Sequence, residues 1–125
     1  MSAKLAFKMQ LFKGYEEEYK KRHDELWPEL RELLLLKGIT GYSIFLDETT
    51  NSLFGVMDVK DPEALDALPA HSLMQKWWTY MSDIMETNTD HSPVSIPLKQ
   101  VFTLMYIFYT FHSNAAKRRL RGRII

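Results

Sequence analysis

Near the start of the chain Leu5, Phe7, Met9 and Leu11 alternate with Ala6, Lys8 and Gln10. A period of two sets one strand face on a core and the other toward solvent, which predicts a β-strand. After Gly14 the spacing lengthens. Tyr15, Tyr19, His23, Leu26, Trp27, Leu30, Leu33 and Leu34 fall on one side, while Glu16, Glu17, Glu18, Lys20, Lys21 and Arg31 fill the other. This is the pattern of an amphipathic helix. Pro28 interrupts it, removing one intrahelical hydrogen bond and pushing Trp27 out of helical dihedrals, so a kink or break is expected there. Gly38 supplies a left-handed cap beyond the last apolar turn.

Two further strands are expected over residues 41–47 and 52–59, joined by the polar connection Glu48, Thr49, Thr50 and Asn51. Tyr42, Ile44 and Leu46 share one face of the first of them. Asp61 before Pro62 reads as a capped helix start, with a short helix to Leu68 that stops at Pro69. From His71 onward Leu73, Met74, Trp77, Trp78, Met81, Ile84 and Met85 recur at three and four residues. They predict a second amphipathic helix ending near Glu86. A polar loop over residues 87–97 then leads to a last strand over about 98–104. The order βαββαβ describes an α+β protein, two helices on one face of a four-stranded antiparallel sheet, the ferredoxin-like arrangement. Phe12 beside Leu11 and Phe54 beside Leu53 place apolar residues on the second sheet face as well. A second subunit closing sheet to sheet, a homodimeric α/β barrel, is the expected cover.

The composition narrows what such a fold can be. A chain of 125 residues with an apolar share of 46% and a charged share of 26% suits one domain, which excludes a multidomain enzyme. Residues 1–104 carry the fold pattern, and residues 105–125 read as an atypical extension, aromatic first and then basic. The absence of cysteine removes disulfides, thiolate nucleophiles and cysteine zinc sites, and fits a reducing compartment. The formal charge is zero, but Lys117, Arg118, Arg119, Arg121 and Arg123 all lie in the final stretch. Without those five of the sixteen basic residues, eleven face sixteen acids in residues 1–102. An acidic body argues against a nucleic-acid binder. The first thirteen residues lack the uninterrupted apolar block of a signal peptide, so a cytoplasmic protein is expected. The longest apolar run, residues 101–111, is shorter than the roughly 17 to 25 residues that span a bilayer, so no membrane partner is expected.

Chemistry concentrates at five residues. Tyr19 and His23, four apart, project from one helix face, where an imidazole can transfer protons near neutral pH; a hydrogen-bonded core histidine is the plainer reading. Trp77 and Trp78 are adjacent and diverge by about 100° on a helix. One can face a cavity and offer a flat surface to a sugar, while ordinary core or dimer packing is the plainer reading of both. Tyr42 enters an apolar layer, so its hydroxyl needs a partner, either a ligand hydroxyl or a backbone carbonyl. His23, His71, His91 and His112 are too far apart in sequence for a shared metal, and none is expected. The glycines are scattered singly, without a phosphate-binding loop. The basic stretch from Lys117 to Arg123 is read as a solvated terminus.

With these residues assembled, the chain resembles the L-rhamnose mutarotase family. The resemblance is carried by Phe7-Lys8-Met9-Gln10, Tyr19-Lys20-Lys21-Arg22-His23, Trp27-Pro28-Glu29-Leu30 and Tyr42-Ser43-Ile44-Phe45-Leu46-Asp47. Lys76-Trp77-Trp78-Thr79-Tyr80-Met81-Ser82-Asp83 and Ser92-Pro93-Val94-Ser95 complete it. It implies a dimeric ferredoxin-like fold and interconversion of the α and β anomers of L-rhamnose, or a related pyranose, with no cofactor. It makes His23 the proton donor and assigns Tyr19, Tyr42, Trp77 and Trp78 to the sugar. Two departures stand out: His91 occupies a position where the family usually has Asn, and the chain continues past the last strand, where family chains end. A competing expectation is a dimeric ferredoxin-like module that binds a sugar or other small ligand without turnover. An RNA-binding domain of the same fold would need basic and aromatic residues together on the sheet, and the acidic body speaks against it.

Overall fold

The structure, a computed structural model, describes residues 2–104. The expectations about the extension at 105–125 lie outside the described residues. The elements run β1 (Ala3–Gln10), α1 (Glu16–Asp24), α2 (Pro28–Leu36), β2 (Ile39–Asp47), β3 (Ser52–Val59), two 3₁₀ turns (Pro62–Leu65 and Leu68–Ala70), α3 (Ser72–Met81) and β4 (Ile96–Pro97). The sheet is antiparallel with strand order β2-β3-β1-β4. This is the expected ferredoxin-like order, with the first helix in two pieces.

The break between α1 and α2 has the cause that the sequence indicates. Trp27 has ψ 129°, the extended backbone that a residue before proline prefers, and Pro28 opens α2 where its missing N–H costs nothing. Helix α1 begins with three glutamates and carries Lys21 and Arg22 in its last turn before Asp24, so these charges complement the helix dipole. Gly38 has φ +95°, the left-handed cap expected after α2. Strand β2 starts at Ile39, two residues before the expected position, because a bulge between Ile39 and Gly41 absorbs Thr40 and lets the buried Ile39 pair with Val59.

Three expectations are corrected. The stretch 62–68 is not one helix: Asp61 accepts from the Glu63 backbone N–H as a cap, but two 3₁₀ turns follow, and Pro69 lies inside the second instead of ending the first. A 3₁₀ turn needs only one i→i+3 bond, so a proline near its start removes nothing. Helix α3 ends at Met81, not near Glu86. The Phe12 N–H donates to the Ile84 carbonyl at 3.0 Å, and the Glu86 N–H donates to the Gln10 carbonyl at 2.9 Å. The end of β1 thus draws this backbone away from the helix axis. Ile84 and Met85 are nevertheless buried; their apolar character signalled the core, not the helix. The last strand is only Ile96–Pro97, followed by a bond from the Leu98 N–H to the Ala6 carbonyl. Beyond it Val101, Phe102 and Leu104 are exposed and have no ladder partner among the described residues. A strand exists only where a neighbour supplies the ladder, which apolar composition alone does not provide.

The register sets the face that meets the helices. Leu5, Phe7 and Met9 on β1 oppose Met57, Gly55 and Leu53 on β3, which oppose Tyr42, Ile44 and Leu46 on β2. Met9, Leu11, Tyr19, Leu30, Leu53, Trp77, Met81, Ile84 and Met85 form the buried core between this face and the helices. Gly55 is required by packing: a Cβ there would stand 2.5 Å from Cζ of Phe7, whose ring therefore lies across the middle strand. Gly55→Ala should force this ring aside and lower stability by about 1–3 kcal/mol, the usual cost of overpacking. Urea denaturation of both proteins checks this, and an unchanged midpoint would mean that the ring moves freely.

Candidate active site

A cavity of about 1150 Å³ opens between the helices and the sheet, and its wall includes Tyr19, His23, Tyr42, Trp77 and Trp78. The fold thus brings together all five residues singled out in the sequence. Helix α1 supplies Tyr19 and His23 one turn apart, β2 supplies Tyr42 from across the sheet face, and α3 supplies the two tryptophans. Among the described residues no group of three or more His, Asp or Glu side chains is placed to hold a metal ion.

His23 is half-buried, and its two ring nitrogens have separate tasks. Nδ1 lies 3.1 Å from the Tyr19 carbonyl oxygen; a carbonyl only accepts, so Nδ1 carries the proton. Nε2 is then the nitrogen with a free lone pair in the neutral ring. No buried side-chain nitrogen or oxygen lacks a partner among the described residues, so the unpartnered Nε2 keeps an accessible surface on a residue that lines the cavity. Burial lowers the imidazole pKa from its ordinary 6.5, an effect opposed by the bond to Tyr19 and by the charge of Asp24. His23 therefore rests neutral at neutral pH, ready to accept a proton at Nε2.

Rings hold the imidazole on two sides. The Tyr19 ring lies 4.3 Å from it at 32°, and the Trp77 ring lies 5.4 Å away edge-on at 89°. Trp77 also meets Trp27 edge-on at 5.1 Å and Tyr80 at 5.7 Å. Only 6% of Trp77 is exposed, so it acts first as the packing centre behind His23. Trp78 is half-buried and lines the cavity without an aromatic neighbour among the described residues, which leaves it the freer indole for a ligand.

Burial pushes both phenols well above the ordinary tyrosine value, and for Tyr19 the nearby Tyr42 adds to the shift. Each is therefore a protonated hydroxyl at neutral pH, able to donate as well as accept. Tyr42 keeps 39% of its surface accessible and lines the cavity, where surrounding protein still disfavours a phenolate.

Several lining residues had weaker signals. Phe7 covers Gly55 and, with Met57 and Met74, gives the cavity an apolar part; a lone glycine in a strand was the clue to close approach. Ser92, Pro93 and Ser95 reach the wall because residues 86–95 fold back on themselves: the Val94 N–H donates to the Glu86 carbonyl, and Thr87 bridges Pro93. His91 does not line the cavity. Its φ is +71°, a left-handed conformation that suits asparagine particularly well, and its Nδ1 lies 3.1 Å from the Thr79 hydroxyl.

A neutral histidine with one open nitrogen, flanked by phenols and an indole in a half-apolar cavity, has the chemistry to transfer a proton to or from a small polar molecule with hydrophobic faces. Comparisons with known proteins identify the family. The family model described as L-rhamnose mutarotase matches residues 4–104, and the chain belongs to the L-rhamnose mutarotase family. It is 54% identical over 99 residues to an L-rhamnose mutarotase of Lachnoclostridium phytofermentans, covering 79% of this chain and 95% of that protein. It is 55% identical over 97 residues to one of Brucella anthropi, covering 78% and 92%. Among solved structures, an L-rhamnose mutarotase from Formosa agariphila superposes with a TM-score of 0.77 at 50% identity, covering 82% of this chain and 99% of that one. An antibiotic biosynthesis monooxygenase superposes at 0.53 with 14% identity, covering 81% and 99%, a likeness of fold alone.

The lowered pKa of His23 has a consequence for stability. As pH falls, the unfolded chain takes up the imidazole proton near 6.5 while the folded chain resists until lower pH. The contribution to stability should thus be level above that value, decline as pH falls through it, and level off again below the folded pKa. A proton NMR titration should place the His23 ring signals below 6.5, and removing the imidazole should flatten that part of the pH–stability curve. A His23 midpoint at or above 6.5 would refute the neutral resting state.

Proposed function

We infer that this chain interconverts the α and β anomers of L-rhamnose by opening and reclosing the pyranose ring, with His23 as the acid/base residue. The observation that carries this reading is the open Nε2 of a neutral imidazole inside an aromatic cavity. Sequence identity above 50% to proteins named L-rhamnose mutarotase supports the choice of sugar.

Ring opening moves one proton from the anomeric hydroxyl to the ring oxygen. The C1–O5 bond breaks, the carbonyl forms at C1, and O5 becomes a hydroxyl. Because His23 rests neutral, it first gains the anomeric proton, directly or relayed through a water or the Tyr19 hydroxyl, and then donates it to O5. Rotation about C1–C2 presents the other carbonyl face, and the same steps in reverse close the ring as the opposite anomer. The site returns to its starting protonation state, so the cycle needs no cofactor. Tyr19 and Tyr42 offer hydroxyls to the sugar hydroxyls, while Trp77 and Trp78 provide flat indole surface, Trp78 the more accessible. The 6-deoxy methyl suits the apolar part of the cavity around Phe7, Met57 and Met74.

The reading includes a cytoplasmic homodimer. Among the described residues no helix is long and apolar enough to cross a membrane. The sheet face turned away from the helices carries Phe45 and Ile96, 62% and 55% exposed, beside Phe54 and Val56, and a second sheet packed on this face would bury them. Phe45→Glu should then shift the sedimenting species from dimer to monomer in analytical ultracentrifugation. A wild-type monomer at micromolar concentration would overturn the dimer.

Saturation transfer between the α and β anomeric proton signals of L-rhamnose tests the activity. Wild-type protein should accelerate exchange, and His23→Ala should reduce it by about 10²- to 10⁴-fold, the span typical of a general acid/base group. The rate should fall on the acid side as His23 becomes protonated. Binding without accelerated exchange, across a panel of pyranoses, would leave the non-catalytic sugar-binding module as the function.

A further inference from the structure

Beside His23 lies a residue that the chemistry above does not use. Arg22 is not part of the cavity wall, and its side chain is only 11% exposed. Its Nη1 donates to the Tyr80 carbonyl at 2.6 Å and to Oδ1 of Asp83 at 2.8 Å, with Nη2 3.3 Å from Oδ2 of the same carboxylate. Its Nε donates to Glu18 at 2.8 Å, and the guanidinium stands 4.4 Å over the Tyr80 ring. Among the described residues these are the only hydrogen bonds joining α1 to the end of α3. One planar group thus holds a carbonyl in the last turn of α3, the carboxylate just beyond it and its own helix at once. Its charge also opposes the negative end of the α3 dipole.

We propose that Arg22 is the positioning residue of this site: by fastening α1 to the C-terminal end of α3 it sets the distance and angle between the His23 imidazole and the aromatic wall. The connection closes on itself. Arg22 covers Tyr80, Tyr80 packs on Trp77 at 5.7 Å, Trp77 meets His23 edge-on at 5.4 Å, and His23 follows Arg22 in the chain. Helix α1 has nine residues, and its other side-chain links to the rest of the protein among the described hydrogen bonds are both at Glu16, at its far end, which accepts from the Gly14 N–H and from Asn51. Releasing Arg22 therefore frees the end that carries His23. A displacement of about 1 Å at a reacting group costs up to 10²-fold in rate, so a residue without contact to the sugar can still govern turnover. A lysine cannot replace it fully, because one ammonium lacks the fork that reaches Asp83, Tyr80 and Glu18 together.

The inference rests on His23-dependent anomer exchange, and its test carries a readout independent of activity. Arg22→Ala, Arg22→Lys and Asp83→Asn would be compared with wild type by anomer exchange kinetics and by NMR titration of the His23 ring. Arg22→Ala should lower kcat about 10- to 100-fold with KM changed less than threefold, and should move the His23 midpoint up toward 6.5 as the ring gains solvent. Arg22→Lys should recover part of kcat. Asp83→Asn keeps the shape of an exposed side chain, so it provides the same test if Arg22→Ala does not fold, with a smaller loss of about 3- to 10-fold and a His23 shift in the same direction. A lower melting temperature with unchanged kcat and an unchanged His23 titration would make Arg22 purely structural and overturn the proposal. If wild-type protein accelerates no anomer exchange, the functional reading falls, while the His23 titration in the variants still decides whether Arg22 positions the imidazole.

Discussion

The packing of Trp77 is the constraint on which the rest of the site depends. Its indole meets His23 from α1 and Trp27 from the start of α2, both edge-on, with Tyr80 from its own helix completing the cluster. Three helices are therefore fixed against one another through a single buried side chain. Edge-to-face aromatic pairs each contribute about 0.5–1.5 kcal/mol beyond the area they bury. They are also directional, which a cluster of leucines would not be. The position of His23 is thus set by ring geometry, not by a hydrogen-bonded carboxylate of the kind that orients many catalytic histidines.

That choice has an electrostatic result. An imidazole held by rings and one backbone carbonyl loses more through desolvation than it regains from that carbonyl and the charge of Asp24, and its pKa falls. A carboxylate on Nδ1 would have raised it and favoured the imidazolium. The neutral resting state, the free lone pair at Nε2 and the protonated phenols beside it are all consequences of burying the site among aromatic side chains. For the proposed ring opening, in which one proton leaves one oxygen and arrives at its neighbour, an imidazole that rests neutral can take up that proton and give it back.

The helices can wall a cavity because the sheet beneath them is uneven. Gly55 lets the Phe7 ring lie low over β3, while Ile44 and Leu46 on β2 and Leu53 on β3 pack against the helices. The break before Pro28 redirects the chain so that α1 and α2 wall the cavity as separate segments. The fold-back at residues 86–95 brings Ser92 and Ser95 to the wall. The cavity therefore draws on a strand glycine, a helix-breaking proline and a loop as much as on the five candidate residues.

The sequence by itself determined the α+β class, the antiparallel sheet, the break at Pro28, the cap at Gly38 and the five candidate residues. Each of these follows from local rules: side-chain period, fixed proline dihedrals, glycine's access to positive φ, and motifs that are short and close in sequence. Tertiary structure decided where α3 stops, since the β1 end takes up the backbone at Ile84 and Glu86. It also decided that the last strand is two residues long, because a ladder partner belongs to the whole fold and not to the segment. The division of labour between Trp77 and Trp78 was equally illegible beforehand, as adjacent indoles differ only in what surrounds them. So was the Arg22 clamp, since its partners Tyr80 and Asp83 lie some sixty residues away. Local periodicity shows which residues turn inward; only the packed chain shows what they meet there.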